Sequence, residues 1–156
     1  MRALYDLVIV GGGAAGLTAA LYASRSGLDC IVLDPASPEG SSIALTDAVE
    51  NYTGFSDIAG FDLIQHFYSQ AKSFAANFVR QSLVGIRKNY DGFILECSDS
   101  EVKTKSVILC MGATHKKLGI DGENKFEGRG VSYCAVCDGY CLLYTSPSPR
   151  DYAASR

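Results

Sequence analysis

A close cysteine pair, Cys134-Ala135-Val136-Cys137, is followed at once by Asp138. Two sulfurs at this spacing can close a small-ring disulfide. One thiolate then attacks an incoming disulfide and the other resolves the mixed species. The rival use of such a pair is zinc, which needs a second pair or histidines. His66 and His115 stand isolated, so no metal site is expected. Two inert core cysteines are the bland alternative. A thioredoxin fold fits poorly, because its motif follows an early strand and usually holds a proline between the cysteines.

Near the other end, Gly11-x-Gly13-x-x-Gly16 lies between a β-rich run and a helical one, the context that makes this motif usable. The first glycine permits a tight turn, the second leaves room for a pyrophosphate against the backbone, and the third lets the helix pack closely. The helix N-terminus offers free N–H groups to the phosphates. Asp34 ends the next apolar run, where a carboxylate can accept hydrogen bonds from both ribose hydroxyls of an adenosine. A glycine-rich turn with a capping Asp is the plain alternative, and the loop alone does not separate FAD from NAD.

The elements that must position these residues begin with a strand over 5–10, a helix over 14–26 stopped by Gly27, and a strand over 29–34 stopped by Pro35. That order is a βαβ unit. Residues 36–60 are rich in Ser, Gly, Pro and Asp and read as loop, with room for one helical turn. Phe61, Ile64, Phe67, Phe74 and Phe78 predict a helix over 60–78. Four β-type runs follow, over 81–88, 92–98, 101–104 and 106–110. The turn Asn89-Tyr90-Asp91-Gly92 joins the first two into a β-meander. Beyond Gly112 the composition turns charged and glycine-rich, which marks a boundary across 113–130.

With 47% hydrophobic and 20% charged residues and a net charge of −3, the composition is that of an ordinary globular domain. No basic stripe points to nucleic acid or to an anionic membrane surface. The apolar stretch from Leu7 to Ala23 could mimic a signal sequence or a membrane span, but Asp6 and three consecutive glycines interrupt any continuous apolar helix. A cytoplasmic protein is expected. Cys30, Cys97 and Cys110 each sit in an apolar or strand-like run, where cysteine is usually a small buried hydrophobe. The stretch from Cys141 to Asp151 resembles the in-frame translation of a sequencing-library adapter. Residues 141–156 are therefore expected to be non-native, with the gene interrupted near Tyr140 and Cys141 outside the cysteine chemistry.

The segment GIDGENKFEGRGVSYCAVCDG (119–139), with MGATHKKL (111–118) before it and VENYTG (49–54) after the βαβ unit, resembles the low-molecular-weight thioredoxin reductases. With the glycine loop, the resemblance covers essentially all of residues 1–140. It implies an α/β fold: a Rossmann-like FAD-binding βαβ unit with a β-meander, in a truncated two-domain flavoprotein. Residues 1–112 would form an FAD-binding domain lacking its C-terminal return. Residues 113–140 would form the linker and the start of the pyridine-nucleotide and redox-disulfide domain, and 141–156 the non-native tail.

The resemblance further implies that Gly11, Gly13, Ala14, Ala15, Gly16 and Asp34 hold the adenosine diphosphate half of FAD. Asn51, Met111, Gly112 and Ala113 would approach the rest of the cofactor. Cys137 would receive electrons from the flavin, Cys134 would attack the disulfide of thioredoxin, and Asp138 would protonate the departing thiolate. The family is usually dimeric. NADPH would be the donor, with its site outside this chain.

Three departures stand out. Gly40-Ser41-Ser42 replaces the common Gly-Gly-Gln, removing a glutamine contact to the isoalloxazine and leaving ferredoxin open as a donor. Ala14 replaces a proline and Asp34 a glutamate. Other readings are a flavin disulfide reductase serving a peroxidase, or a non-catalytic FAD- or NAD-binding module. The chain as written is expected to be inactive, with sheet edges and one apolar face open.

Overall fold

The computed structural model describes residues 4–36, 38–127 and 129–134. Cys137, Asp138 and the adapter-like tail lie outside the described residues. The chain divides into two compact units, Met1–Gly112 and Ala113–Arg156.

In the first unit, β1 (Tyr5–Val10), α1 (Ala14–Arg25) and β2 (Cys30–Leu33) form the expected βαβ unit. Its two strands pair in parallel, Val10 opposite Leu33. After a short 3-10 turn at Pro38–Gly40 come α2 (Gly60–Ser73), β3 (Asn77–Val79), β4 (Leu83–Asn89), β5 (Gly92–Cys97) and β6 (Glu101–Leu109). The six strands make one sheet in the order β3-β2-β1-β6-β5-β4. β3, β2, β1 and β6 run parallel, whereas β6, β5 and β4 are joined antiparallel as the meander.

Alternation along β1 and β2 sends side chains to two layers. Leu7, Ile9, Cys30 and Val32 are buried with Leu17, Ala20 and Ala23 of α1 and Ile64 and Ala71 of α2. Val8, Val10, Ile31 and Leu33 are buried with Leu95 of β5 and Val102 of β6. Both strands are thus buried on both faces, which explains their nearly continuous apolar sequence. At β1 and β2 the expected open apolar face is absent, because the meander covers the side that the helices do not. Apolar side chains nevertheless stay exposed elsewhere on the sheet, at Val84 and Ile86 of β4, at Ile108 and Leu109 at the end of β6, and at Met111 just beyond.

Two further corrections follow from tertiary pairing. The helix predicted to reach residue 78 stops at Ser73, and Ala75 takes a left-handed φ of 64°, a conformation costing about 1–2 kcal/mol. Phe78 keeps the apolar spacing but does so from β3, opposite Val32 and with its ring 4.7 Å from that of Tyr68. The runs 101–104 and 106–110 are one strand. Thr104 is where β6 changes partner, for it lies opposite Phe93 of β5 and also Tyr5 of β1. Its buried hydroxyl donates to Ser106 O at 2.9 Å, with Tyr5 O at 3.2 Å also in reach. Lys105, which looks like a break in the pattern, points outward to Asp6 Oδ1 at 2.6 Å. Of the three cysteines expected inside, Cys30 is buried, while Cys97 and Cys110 are only partly so.

In the second unit, residues 113–120 are irregular and a single helical turn, α3 (Glu123–Phe126), follows. The segment returns through a bridge between Glu127 and Val131.

Candidate functional site

The carboxyl ends of β1, β2 and β6 lie side by side, with Val10 opposite both Leu33 and Leu109. From β1 the chain crosses to β2 on one side while β6 lies on the other, so the glycine loop sits at the topological switch point. Open α/β sheets bind ligands at that place. Two backbone bonds fix the exit from the strands: Gly11 N–H donates to Leu33 O at 2.8 Å and Cys110 N–H to Val10 O at 2.7 Å.

Each glycine of the loop meets different surroundings. Gly11 has φ +102°, and a Cβ there would lie 2.2 Å from Cys110 O. Gly16 is buried in α1, where a Cβ would fall 1.8 Å from Gly11 O. Both are closed to any side chain by backbone. Gly13 differs, since a Cβ there would meet nothing nearer than Ser41 Cβ at 3.8 Å. The loop therefore keeps an open face at its second glycine.

Gly13 is also the N-cap of α1, which has neither a capping side chain nor an acidic residue in its first turn. The first N–H groups of a helix have no partner within it, so those of Ala14, Ala15 and Gly16 form a ready cradle for an anion. Asp34 continues β2 into this region. Its Oδ1 accepts Ala36 N–H at 3.3 Å, and its Oδ2 lies 2.2 Å from where a Cβ on Gly12 would be. Gly12, to which the motif assigns no role, thus admits the carboxylate. The unbroken run of three glycines was the available signal. Ser41 is another residue the motif missed. It lies nearest the open face, and its hydroxyl accepts Ala44 N–H at 3.3 Å. Glycine loop, helix terminus and carboxylate together fit the pyrophosphate and ribose of a dinucleotide.

The remaining candidates are placed less closely. Asn51 is exposed, in a loop held by the Tyr52 ring 5.4 Å from Phe67 of α2. Met111 is exposed, Gly112 has φ +71°, and Ala113 begins the second unit. Burial pushes the Cys110 thiol up from its ordinary value, and the Cys97 thiol likewise.

In the second unit, Cys134 is disulfide-bonded, whereas Cys30, Cys97 and Cys110 are free. Ser132 brackets Cys134: its Oγ accepts Cys134 N–H at 3.1 Å and donates to Cys134 O at 3.2 Å. Among the described residues no group of His, Cys, Asp or Glu could hold a metal ion. Nor, among them, is any helix long and apolar enough to cross a membrane.

The sequence profile of the pyridine nucleotide-disulphide oxidoreductases matches residues 5–144. The chain belongs to that family. It is 40% identical over 136 residues to the thioredoxin reductase of Bacillus subtilis, covering 87% of this chain and 43% of the relative. The crystal structure of thioredoxin reductase from Streptococcus pyogenes superposes with a TM-score of 0.79 at 37% identity, covering 89% of this chain and 45% of that one. A ferredoxin-flavin thioredoxin reductase from Clostridium acetobutylicum superposes with a TM-score of 0.68 at 28% identity, covering 89% and 48%. The chain spans less than half the length of these relatives.

Proposed function

We propose that this chain supplies the FAD cradle and the redox-active disulfide of a thioredoxin reductase. The observation that carries the reading is the disulfide at Cys134, and the glycine loop with the open helix terminus of α1 supports it. A non-catalytic binding module would have no use for that sulfur pair.

In this reading the N–H groups at Ala14, Ala15 and Gly16 hold the pyrophosphate over the open face of Gly13, and Gly11 shapes the turn. Asp34 takes the ribose hydroxyls, while Asn51, Met111, Gly112 and Ala113 approach the remainder of the cofactor. FAD, when bound, supplies an electron pair to the Cys134–Cys137 disulfide. With two protons, that pair converts the disulfide into two thiols. The Cys134 thiolate attacks the thioredoxin disulfide and forms a mixed disulfide, and the departing thiolate takes a proton from Asp138. Cys137 then attacks the Cys134 sulfur, which reforms the internal disulfide and frees the second thioredoxin thiol.

NADPH fits the family as donor. Ferredoxin is the second reading, favoured by Ser41 and Ser42 standing where a glutamine contact is usual and by the name of the Clostridium relative. A homodimer in the cytoplasm completes the proposal.

The deciding experiment is Cys134→Ser in the protein extended to the length of its relatives. Thioredoxin reduction should vanish while reduction of the flavin by its donor persists; thioredoxin reduction at the normal rate would remove the dithiol from the pathway. The chain of residues 1–156 by itself should hold FAD weakly or not at all and show no turnover. Flavin absorbance after gel filtration reads this directly.

A further inference from the structure

One carboxylate that accepts several hydrogen bonds has no part in the reaction scheme above. Glu123 is 3% exposed, and a carboxylate is almost never buried this far unless partnered. One oxygen accepts Leu118 N–H at 2.8 Å and the other accepts Gly119 N–H at 2.7 Å. The oxygen facing Leu118 also accepts a short hydrogen bond from the Tyr133 hydroxyl. Tyr133 is gripped a second time on its face, by the His115 imidazole stacked at 5.2 Å and 11°. Tyr133 immediately precedes Cys134, whose own N–H and C=O are bracketed by Ser132. These contacts lie within the second unit and tie residues 115–119 to the backbone that carries the sulfur.

We infer that Glu123 is a positioning residue for the Cys134 disulfide, acting through the Tyr133 hydroxyl to hold the sulfur-bearing backbone in the arrangement of the oxidised state. The inference rests on the redox role proposed for Cys134. A carboxylate accepting two backbone N–H groups and a phenol is a fixed post, because withdrawing any donor leaves its charge less satisfied. The tie is made with Cys134 in its disulfide. An interaction made in that state and lost in the dithiol favours the disulfide by the difference, so its removal makes reduction easier.

The test uses the 156-residue chain, taken as gel-filtered monomer and equilibrated with oxidised and reduced dithiothreitol. The state of Cys134 is read by thiol-specific mass tagging. Tyr133→Phe removes one oxygen and leaves the backbone contacts of Glu123 in place. It should shift the disulfide–dithiol equilibrium roughly tenfold toward the dithiol, which is about 30 mV for a two-electron couple. Glu123→Ala should shift it at least as far, while the unfolding of the first unit stays unchanged.

A Tyr133→Phe equilibrium equal to that of the parent overturns the inference. So does a shift in Glu123→Ala alone, since the carboxylate would then act only on residues 118–119. A parent disulfide that dithiothreitol cannot open under native conditions defeats the redox role itself, and the inference with it. An unshifted variant of a readily reduced parent defeats only the tie.

Discussion

In the first unit the glycine loop is set by backbone lying against backbone: Gly16 on Gly11 O, Gly11 on Cys110 O, and strand ends hydrogen-bonded across Leu33, Val10 and Cys110. In the second unit, side chains hold the approach to Cys134: Glu123 gathers Leu118, Gly119 and Tyr133, and Ser132 brackets the cysteine itself. The first arrangement tolerates no added atom at Gly11 or Gly16, and backbone alone closes both positions. The second depends on a proton being absent from one oxygen pair and present on one phenol. The difference suits the proposed roles. A cradle for a dinucleotide gains from being rigid, whereas a disulfide that opens and closes needs a local, reversible hold.

The largest expected effect comes from adding a side chain where backbone leaves no room. Gly16→Val would put a branched carbon into Gly11 O and should cost about 4 kcal/mol or more, among the severe end of single substitutions. Loss of a cooperative urea transition in the first unit is the readout; a transition at the parent's midpoint would mean that the loop is not backbone-locked. Next comes Ile64→Ala, which empties a fully buried site under α2. It should cost about 2–5 kcal/mol by the same measurement and leave the alkylation behaviour of Cys134 unaltered. Coupled changes in both would break the distinction between the units.

A smaller and purely local effect is expected from pH. Hydrogen bonds from Tyr133 and from the backbone at Leu118 and Gly119 hold the Glu123 carboxyl below its ordinary value of 4.5. A group with a depressed folded pKa stabilises at and above its unfolded value and loses that contribution as pH falls through the folded one. Glu123 also pushes the Tyr133 phenol up to about 12 from 10. Its contribution is therefore complete below pH 10 and disappears as pH rises through about 12. Hydrogen-exchange protection of the Leu118 and Gly119 amides should fall below about pH 4.5 while that of β1 and β2 persists. A tyrosinate difference titration against Tyr133→Phe should place the ionisation of this phenol at about 12. Ionisation near 10 would show that the short bond to Glu123 is not kept in solution.

The smallest effect on stability belongs to Gly13→Val, because the space around Gly13 is open and its backbone is extended, with φ −74° and ψ −173°. Loss of an N-cap glycine should change stability by only about 1 kcal/mol. In the protein extended to its relatives' length, the same change should yield colourless material, the branched side chain occupying the place of the pyrophosphate. A variant that stays stoichiometrically yellow would mean that the open face is not the cofactor's.

Local pattern was enough for the βαβ unit, the Asn89–Gly92 turn and the glycine loop, because strand alternation, a helix after Gly13 and a two-residue hairpin turn are all written in neighbouring residues. The reach of Asp34 toward the loop was visible in part, since a carboxylate at a strand end announces itself while the bare Gly12 that admits it does not. Three matters were left to tertiary structure. The end of α2 at Ser73 was decided by β2, whose free edge draws Asn77–Val79 into the sheet against the helical spacing of Phe74 and Phe78. The continuity of β6 was decided by its two partners: Thr104 and Lys105 look like an interruption in one dimension but are a crossing point and an ion pair in three. The role of Glu123 was decided by burial. Its position in the sequence is that of any acidic residue in a charged linker, and only the folded chain removes it from water and brings Leu118, Gly119 and Tyr133 to its oxygens.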